Sequence, residues 1–299
     1  MPESSLTKRN PDLSIVVVSY NTAELLGRCI DSVLAQQGPS FELIVVDNAS
    51  TDDSLSVVRQ TRDEIRLIAN DANVGFSRAN NQAIRISSGR YIYFLNPDTE
   101  VRPGSFHAMI RYMDANPDVG LAGTQILNPN GSRQSSVEYR YPGQRHEPDR
   151  FQGLKGDIAW LLGASIIIRD RVAGELGGFS EKYFLYAEDI DLCLRARQAG
   201  WLVGFVEDAT VIHWGGQSER RTPSAEVWRK KIGSEILFYR TYYSDKGFRS
   251  IRRSNRLQAY WRLLTLRLEG LFRPGRRAVQ EKTVKYRAII DAYETDART

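Results

Sequence analysis

Cysteine is nearly absent from the 299 residues: there are two, Cys29 and Cys193, alongside three histidines and three methionines. Each cysteine stands alone in a helical pattern, without the spacing of a disulfide framework or a metal knuckle, so reduced, packed thiols are expected, as suits a cytosolic compartment. Long apolar runs are missing too. The longest uncharged one, Ile158 to Ile168, lies between Asp157 and Arg169, well short of the roughly 20 residues of a spanning helix. Met1 to Asp12 is polar, with no apolar core ahead of a small-residue cleavage site, so no secretory signal is expected. There is no glycine-rich turn after the first strand, where Ser19-Tyr20-Asn21-Thr22 stands instead. That disfavours a nucleotide-dependent oxidoreductase. Internal repeats and low-complexity tracts are lacking as well.

A hydrophobic fraction of 41% is enough for one large mixed core with a helical appendage. The net charge of +5 is unevenly spread. Lys246 to Arg287 carries thirteen basic residues against two glutamates, which leaves the rest of the chain at −6. An acidic body with a basic tail and no nucleic-acid motif argues against a nucleic-acid binder.

Strands and helices alternate. Leu13 to Val18 is a β-branched run, and Ala23 to Gln37 places Leu25, Leu26, Ile30, Val33 and Leu34 at helical spacing. Phe41 to Val46 predicts a second buried strand, followed by turn and cap residues Asn48 to Asp53 and a helix to about Gln60. Ile65 to Ile68, a helix over Ser77 to Ser87, and Tyr91 to Leu95 continue the series. A helix over Pro103 to Asn116 and a strand near Val119 to Gly123 follow. Asn128 to Asp157 then predicts a long loop, either functional or disordered. Beyond it come Ile158 to Ile168, helices near Arg169 to Leu176 and Glu188 to Ala199, and a strand at Trp201 to Val206. Ala225 to Tyr243 and two segments broken at Pro274-Gly275 are helical. This alternation predicts an α/β protein with a mostly parallel sheet covered on both faces, whose ligands gather at the carboxyl ends of the strands. The division expected is a tail at 1–12, a catalytic domain at 13–220 and a basic helical extension at 221–299.

Four places carry chemistry. Asp47-Asn48 ends the second strand, where a carboxylate can accept from a base imide nitrogen or simply cap a turn. Asn96-Pro97-Asp98 follows the fourth strand, where one carboxylate plus phosphate oxygens would suit Mg²⁺, though Pro-Asp turns are common. Glu188, Asp189 and Asp191 open a helix. The helix dipole favours acids there, but three within four residues exceed that need, and one facing a pocket could act as general base. His213, in Val211-Ile212-His213-Trp214-Gly215-Gly216, would with Asp98 make an N/O site for Mn²⁺ or Mg²⁺.

In order and spacing these residues resemble the family 2 inverting glycosyltransferases of the GT-A fold. The matching motifs are Val18-Ser19-Tyr20-Asn21, Val46 to Asp52, Asn73-Val74-Gly75-Phe76 with Asn80-Asn81, Leu95 to Asp98, Gly177-Gly178-Phe179, Glu188 to Leu192, and His213. The Asn-Pro-Asp version, with the Asn-rich stretch around Asn73 to Asn81, is similar to the rhamnosyltransferase branch, whose usual donor is dTDP-L-rhamnose. The resemblance implies that Ser19, Tyr20, Asn21 and Asp47 surround the nucleoside. It implies that Asn73, Gly75, Phe76, Asn80, Asn96, Asp98, Gly163 and Glu188 border the donor, that Asp189 is the catalytic base, and that Asp98 and His213 hold a divalent Mg²⁺ or Mn²⁺. Asn96 stands where many relatives carry the first acid of an Asp-x-Asp motif, so the protein's own hold on the metal is expected to be weaker. A non-catalytic relative would be expected to lose Asp98 or Asp189, and both are present.

The expected role is sugar transfer to a hydroxyl of a glycan or a polyprenyl-diphosphate-linked saccharide in cell-surface polysaccharide synthesis; a UDP-sugar donor is the alternative. In Arg256 to Phe272, Leu257, Tyr260, Trp261, Leu264, Leu268, Leu271 and Phe272 form one helical stripe flanked by Arg262 and Arg267. It can lie on a membrane surface, pack on the catalytic domain, or join a second subunit in a homo-oligomer. A cytoplasmic enzyme, peripheral at the inner face of the cell membrane, is expected.

Overall fold

The structure, a computed structural model, describes residues 10–60, 65–215, 224–272 and 277–296. The expected Pro274-Gly275 break, Gly216, the boundary at 220/221 and most of the N-terminal tail lie outside the described residues, as do the side chains of Leu271 and Phe272.

The first half alternates β1 (Leu13–Ser19), α1 (Ala23–Leu34), β2 (Phe41–Asp47), α2 (Ser54–Gln60), β3 (Ile65–Ala69), α3 (Phe76–Ile84) and β4 (Tyr91–Leu95). There follow β5 (Thr99–Val101), α4 (Ser105–Ala115), β6 (Val119–Leu127), β7 (Arg133–Gln134), β8 (Val137–Glu138), β9 (Trp160–Leu161) and β10 (Ser165–Arg169). The α/β body closes with α5 (Asp170–Leu176), α6 (Glu188–Gln198) and β11 (Leu202–His213). The chain then runs through α7 (Ser224–Tyr242), α8 (Asp245–Phe272) and α9 (Arg277–Thr295).

The main sheet runs β3-β2-β1-β4-β10-β6-β11-β5, with β7 on β6. Strands β1 to β4 are parallel, as alternation with helices requires. The sheet is mostly parallel as expected, with departures at β10, antiparallel to both β4 and β6, and at β5, antiparallel to β11. The chain reaches β10 from β9 through Leu162 to Ala164, so the single apolar run of the sequence is two strands of different sheets. Periodicity could not reveal this, because a strand buried on both faces reads as continuous apolar sequence whichever way it runs. Two antiparallel steps restore direction, so β6 and β11 run parallel to β1 and β4. The carboxyl ends of β1, β2, β4, β6 and β11 therefore share one edge of the sheet, and so does the amino end of β10.

Alternate strand residues feed two cores. Ile15, Val17, Val45, Tyr93 and Leu95 pack beneath α1 and α4; Val16, Val18, Ile44, Val46 and Phe94 pack with α3, α5 and α6. A third cluster joins α6 and the 141–154 stretch to Phe238 and Tyr239 of α7, to Tyr243 just after it and to Ile251 of α8. The expected loop from Asn128 to Asp157 is thus built into the body: it carries β7, β8 and two 3₁₀ turns, and Arg197 of α6 donates to the carbonyls of Leu154, Lys155 and Gly156. Both cysteines are free and buried, and burial pushes the Cys29 thiol up to about 12. Among the described residues no helix is long and apolar enough to cross a membrane.

Candidate active site

Two buried acids and an imidazole stand along the shared edge. Ser19 and Asp47 are register partners at the ends of β1 and β2. Asp47 is 2% exposed; its Oδ2 accepts from the Ser50 amide at 3.1 Å, while its buried Oδ1 has no hydrogen-bond partner. An unpaired buried carboxylate oxygen is costly unless something arrives to donate to it. A pyrimidine imide N–H is one such donor.

Asp98 follows β4, and its carbonyl accepts from the amide of Trp214, the residue after β11. That bond, with the pairing of Thr99 to His213, brings His213 Nε2 to 3.4 Å from Asp98 Oδ1. The other ring nitrogen, Nδ1, is 3.1 Å from Gln134 Oε1 on β7. An amide oxygen only accepts, so Nδ1 carries a proton in this arrangement, and in a neutral ring Nε2 then turns its lone pair toward a carboxylate oxygen. Two acceptors facing each other in a buried place suit a cation between them, and an N/O donor pair matches Mn²⁺ or Mg²⁺. These residues fit a divalent metal. Among the described residues no third His, Cys, Asp or Glu joins them, so the remaining positions would fall to ligand oxygens and water.

The acidic cluster divides in two. Asp191, 2% exposed, accepts from Arg195 Nε and from Tyr242 Oη, both at 2.6 Å, and Arg195 also donates to the carbonyls of Leu176 and Gly178. It ties α5, α6 and α7 together. Asp189 faces the other way: its Oδ2 accepts from the Gly163 amide at 2.9 Å, just ahead of β10, and its Oδ1 from the Ile190 amide at 2.8 Å. A Cβ at Gly163 would lie 3.3 Å from the Asp189 side chain, a tight contact that the carboxylate would have to shift to relieve. Asn96, after β4, donates its amide to the carbonyl of neighbouring Ala164. The stretch holding Asp189 is therefore stitched to the stretch leading to Asp98.

Burial raises the pKa of both Glu188 and Asp189; the charges of Asp189 and Asp191 raise Glu188 further, while the backbone donors oppose the rise at Asp189. Glu188 is buried and its Oε2 lacks a partner. A carboxyl with a raised folded pKa binds its proton more tightly in the fold than in the unfolded chain. Its stability contribution is therefore fullest below the unfolded value, about 4.3, and is lost as pH rises through the folded one. Glu188→Gln should accordingly melt above the wild type at pH 8 and close to it at pH 4. Melting curves that differ equally at both pH values would show that Glu188 is not protonated in the fold.

Several of the other expected residues are bonded to protein. Asn21 Oδ1 accepts from the amide and hydroxyl of Thr51, and Ser19 Oγ pairs with Thr22 Oγ1. Asn73 Oδ1 accepts from Asn48 Nδ2 and from the Gly75 amide, and Asn80 Nδ2 reaches the Phe76 carbonyl. Gly75 has φ +87°, and a Cβ there would meet Phe184 at 2.8 Å. The Phe76 amide donates to the Phe184 carbonyl, and its ring packs edge-on against Phe179. Tyr20 stays open at the mouth, 37% exposed. All four non-glycine residues with left-handed φ among the described residues, Asn21, Ala49, Tyr186 and Ala187, flank these site segments, and such strain clusters at functional sites. Gln134 and Phe184 went unforeseen. Nothing in their local sequence separates them from loop residues, since only the meeting of β7 with β11 and of the 180–187 segment with α3 gives them a part.

Residues 14–187 match the glycosyl transferase family 2. The chain belongs to that family. Among family relatives it is similar to the N-acetylglucosaminyl-diphospho-decaprenol L-rhamnosyltransferase of Mycobacterium tuberculosis, at 28% identity over 253 residues, 72% of this chain and 80% of the relative. Among solved structures it resembles the Pyrobaculum calidifontis mannosyltransferase PcManGT in complex with GDP-Man and Mn²⁺ (TM-score 0.61, 17% identity, 97% and 88% of the two chains). It also resembles S. aureus TarS in complex with UDP-GlcNAc (TM-score 0.57, 16% identity, 95% and 92%). At these identities the structural likeness carries the fold, which is GT-A, and family membership makes this chain a glycosyltransferase.

Proposed function

We propose that the protein transfers L-rhamnose from dTDP-L-rhamnose, with inversion, to a hydroxyl of a saccharide carried on a polyprenyl diphosphate. The reading is supported first by the Asp189 carboxylate, which backbone amides hold at the sheet edge where Asp98, His213 and Asp47 also stand. The donor and acceptor classes follow the relative from M. tuberculosis.

In this reading the unpaired Asp47 Oδ1 takes the imide N–H of the base, and Tyr20 covers the nucleoside from the open side. The acceptor oxygen attacks the anomeric carbon from the face opposite the diphosphate. As that C–O bond forms, the bond to phosphate breaks, the diphosphate leaves with the electron pair, and the hydroxyl proton passes to Asp189. The raised pKa of Asp189 makes it a better proton acceptor than an ordinary carboxylate. Glu188, kept protonated beside it, leaves Asp189 as the charged partner. A divalent cation, when bound, would be held by Asp98 and His213 and would neutralise charge gathering on the leaving diphosphate. Asn96, in place of an acid, makes that hold depend more on the donor's own phosphates. The division into catalytic body and C-terminal extension is part of this proposal, as are homo-oligomer formation and action at the cytoplasmic membrane face.

The test is a thermal-shift panel of nucleotide sugars with and without Mn²⁺. A ligand that binds only the fold stabilises it by about 2.7 kcal/mol at a hundredfold excess over Kd, so dTDP-L-rhamnose should raise Tm more than UDP-sugars do, and Mn²⁺ should add to the shift. A larger shift with a UDP-sugar would overturn the donor assignment. No shift with any nucleotide sugar would overturn the reading.

A further inference from the structure

Helix α8 is split lengthwise. Ile251, Ala259 and Leu266 are buried, and on the same side Asn255 donates to Tyr293 Oη of α9 at 2.9 Å. At about 100° per residue, Leu257, Tyr260, Trp261, Leu264 and Leu268 fall on the side away from that seam, and their exposures run from 48 to 64%. These five members of the stripe expected from sequence are therefore largely uncovered among the described residues, with Tyr260 Oη donating to Glu294 Oε1 of α9 at 3.3 Å. Next to its amino end, Arg249, Arg252, Arg253 and Arg256 join Leu257 and Tyr260 around an open concavity of about 470 Å³. Among the described residues Arg249, Arg252 and Arg253 have no carboxylate partner. Arg256 reaches Glu294 only at 3.7 Å, and its buried Nε is unpaired.

Arginines in a row are ordinarily a solvated face, and single exposed apolar residues are ordinary too. Five large apolar side chains contiguous with four arginines form a continuous patch of the kind that marks an interaction site. We propose that α8 docks on an anionic phospholipid bilayer, the arginine quartet holding lipid phosphates and the Leu257–Leu268 stripe entering the upper acyl region. Charge selects this occupant. A second copy docked through the same face would bring four more arginines and, since Arg249 to Leu268 holds no Asp or Glu, no acidic partner for them from that stretch. A bilayer surface supplies phosphates to the arginines and hydrocarbon to the stripe together. The helix lies on the membrane and does not span it, since no described helix is apolar enough to cross. The proposal rests on the functional reading only in that a lipid-linked acceptor gives the enzyme a reason to be at a membrane.

The full chain should sediment at low salt with vesicles of equal parts phosphatidylcholine and phosphatidylglycerol, and poorly with phosphatidylcholine alone. A double change, Arg252→Gln with Arg253→Gln, should lower partitioning roughly 25-fold, about fivefold for each arginine. Trp261→Ser with Leu264→Ser should release the protein from both vesicle types. Sugar transfer to a short-chain, water-soluble acceptor should be unchanged in both variants. Equal binding to neutral and anionic vesicles, or unaltered partitioning of both variants, would overturn the proposal. So would a shift from dimer to monomer in the Trp261/Leu264 variant with vesicle binding intact. Absent vesicle binding with transfer intact would remove the docking surface and leave the transfer reading standing. Vesicle binding without transfer from any donor would do the reverse.

Discussion

Asp189→Asn is expected to lower kcat by about 10²–10⁴-fold, the usual contribution of a positioned general base, while donor affinity and melting temperature stay near wild type. The Gly163 and Ile190 amides donate to different oxygens of Asp189, so asparagine keeps one of the two bonds, the other costs about 0.5–1.5 kcal/mol, and the proton acceptor is lost. Single-turnover kinetics with saturating dTDP-L-rhamnose, paired with calorimetric donor binding, separate the two effects. A variant retaining full turnover would place the base elsewhere. The pH profile adds a second check. The base works only when ionised, and burial raises its pKa. The acid limb of the wild-type rate should therefore fall at higher pH than an ordinary carboxylate would give.

Two positions along, the same kind of residue should behave in the opposite way. Asp191→Ala is expected to destabilise the fold by about 3–5 kcal/mol, the typical result of removing one member of a buried ion pair. The change leaves Arg195 without its carboxylate and the Tyr242 hydroxyl without its acceptor. A domain is stable by about 5–15 kcal/mol in total, so the loss is visible in urea unfolding and in soluble yield. A change under about 1 kcal/mol would show that Asp191 does not lock α6 to α7. Together the variants divide one acidic cluster into a chemical acid and a structural one.

That division was not legible in the sequence. Glu188, Asp189 and Asp191 are equally plausible as helix-capping acids, and only Gly163, Arg195 and Tyr242, remote in sequence or on another helix, decide which does what. The alternation of β1 to β4 with α1 to α3 was readable because apolar period and turn residues agree over short distances. The antiparallel β10 and the three-residue β5 were not, because strand direction leaves no mark on a strand buried on both faces. His213 was readable as a candidate partner of Asp98 through family resemblance. Its ring orientation was not, since that depends on Gln134 in a stretch expected as open loop. The tail's stripe was visible as a pattern, but whether protein covers it is a tertiary fact, and among the described residues Leu257, Tyr260, Trp261, Leu264 and Leu268 stay exposed.

The amide of Gly163 that grips Asp189 has a bearing on how such an enzyme diversifies. Because main chain rather than a neighbouring side chain sets the carboxylate's aim, substitutions around the acceptor entrance can accumulate without tilting it. New acceptors can then be tried by changing the walls of the crevice while the proton-abstracting group stays in place, whereas a side chain added at the glycine itself would press on the carboxylate it holds.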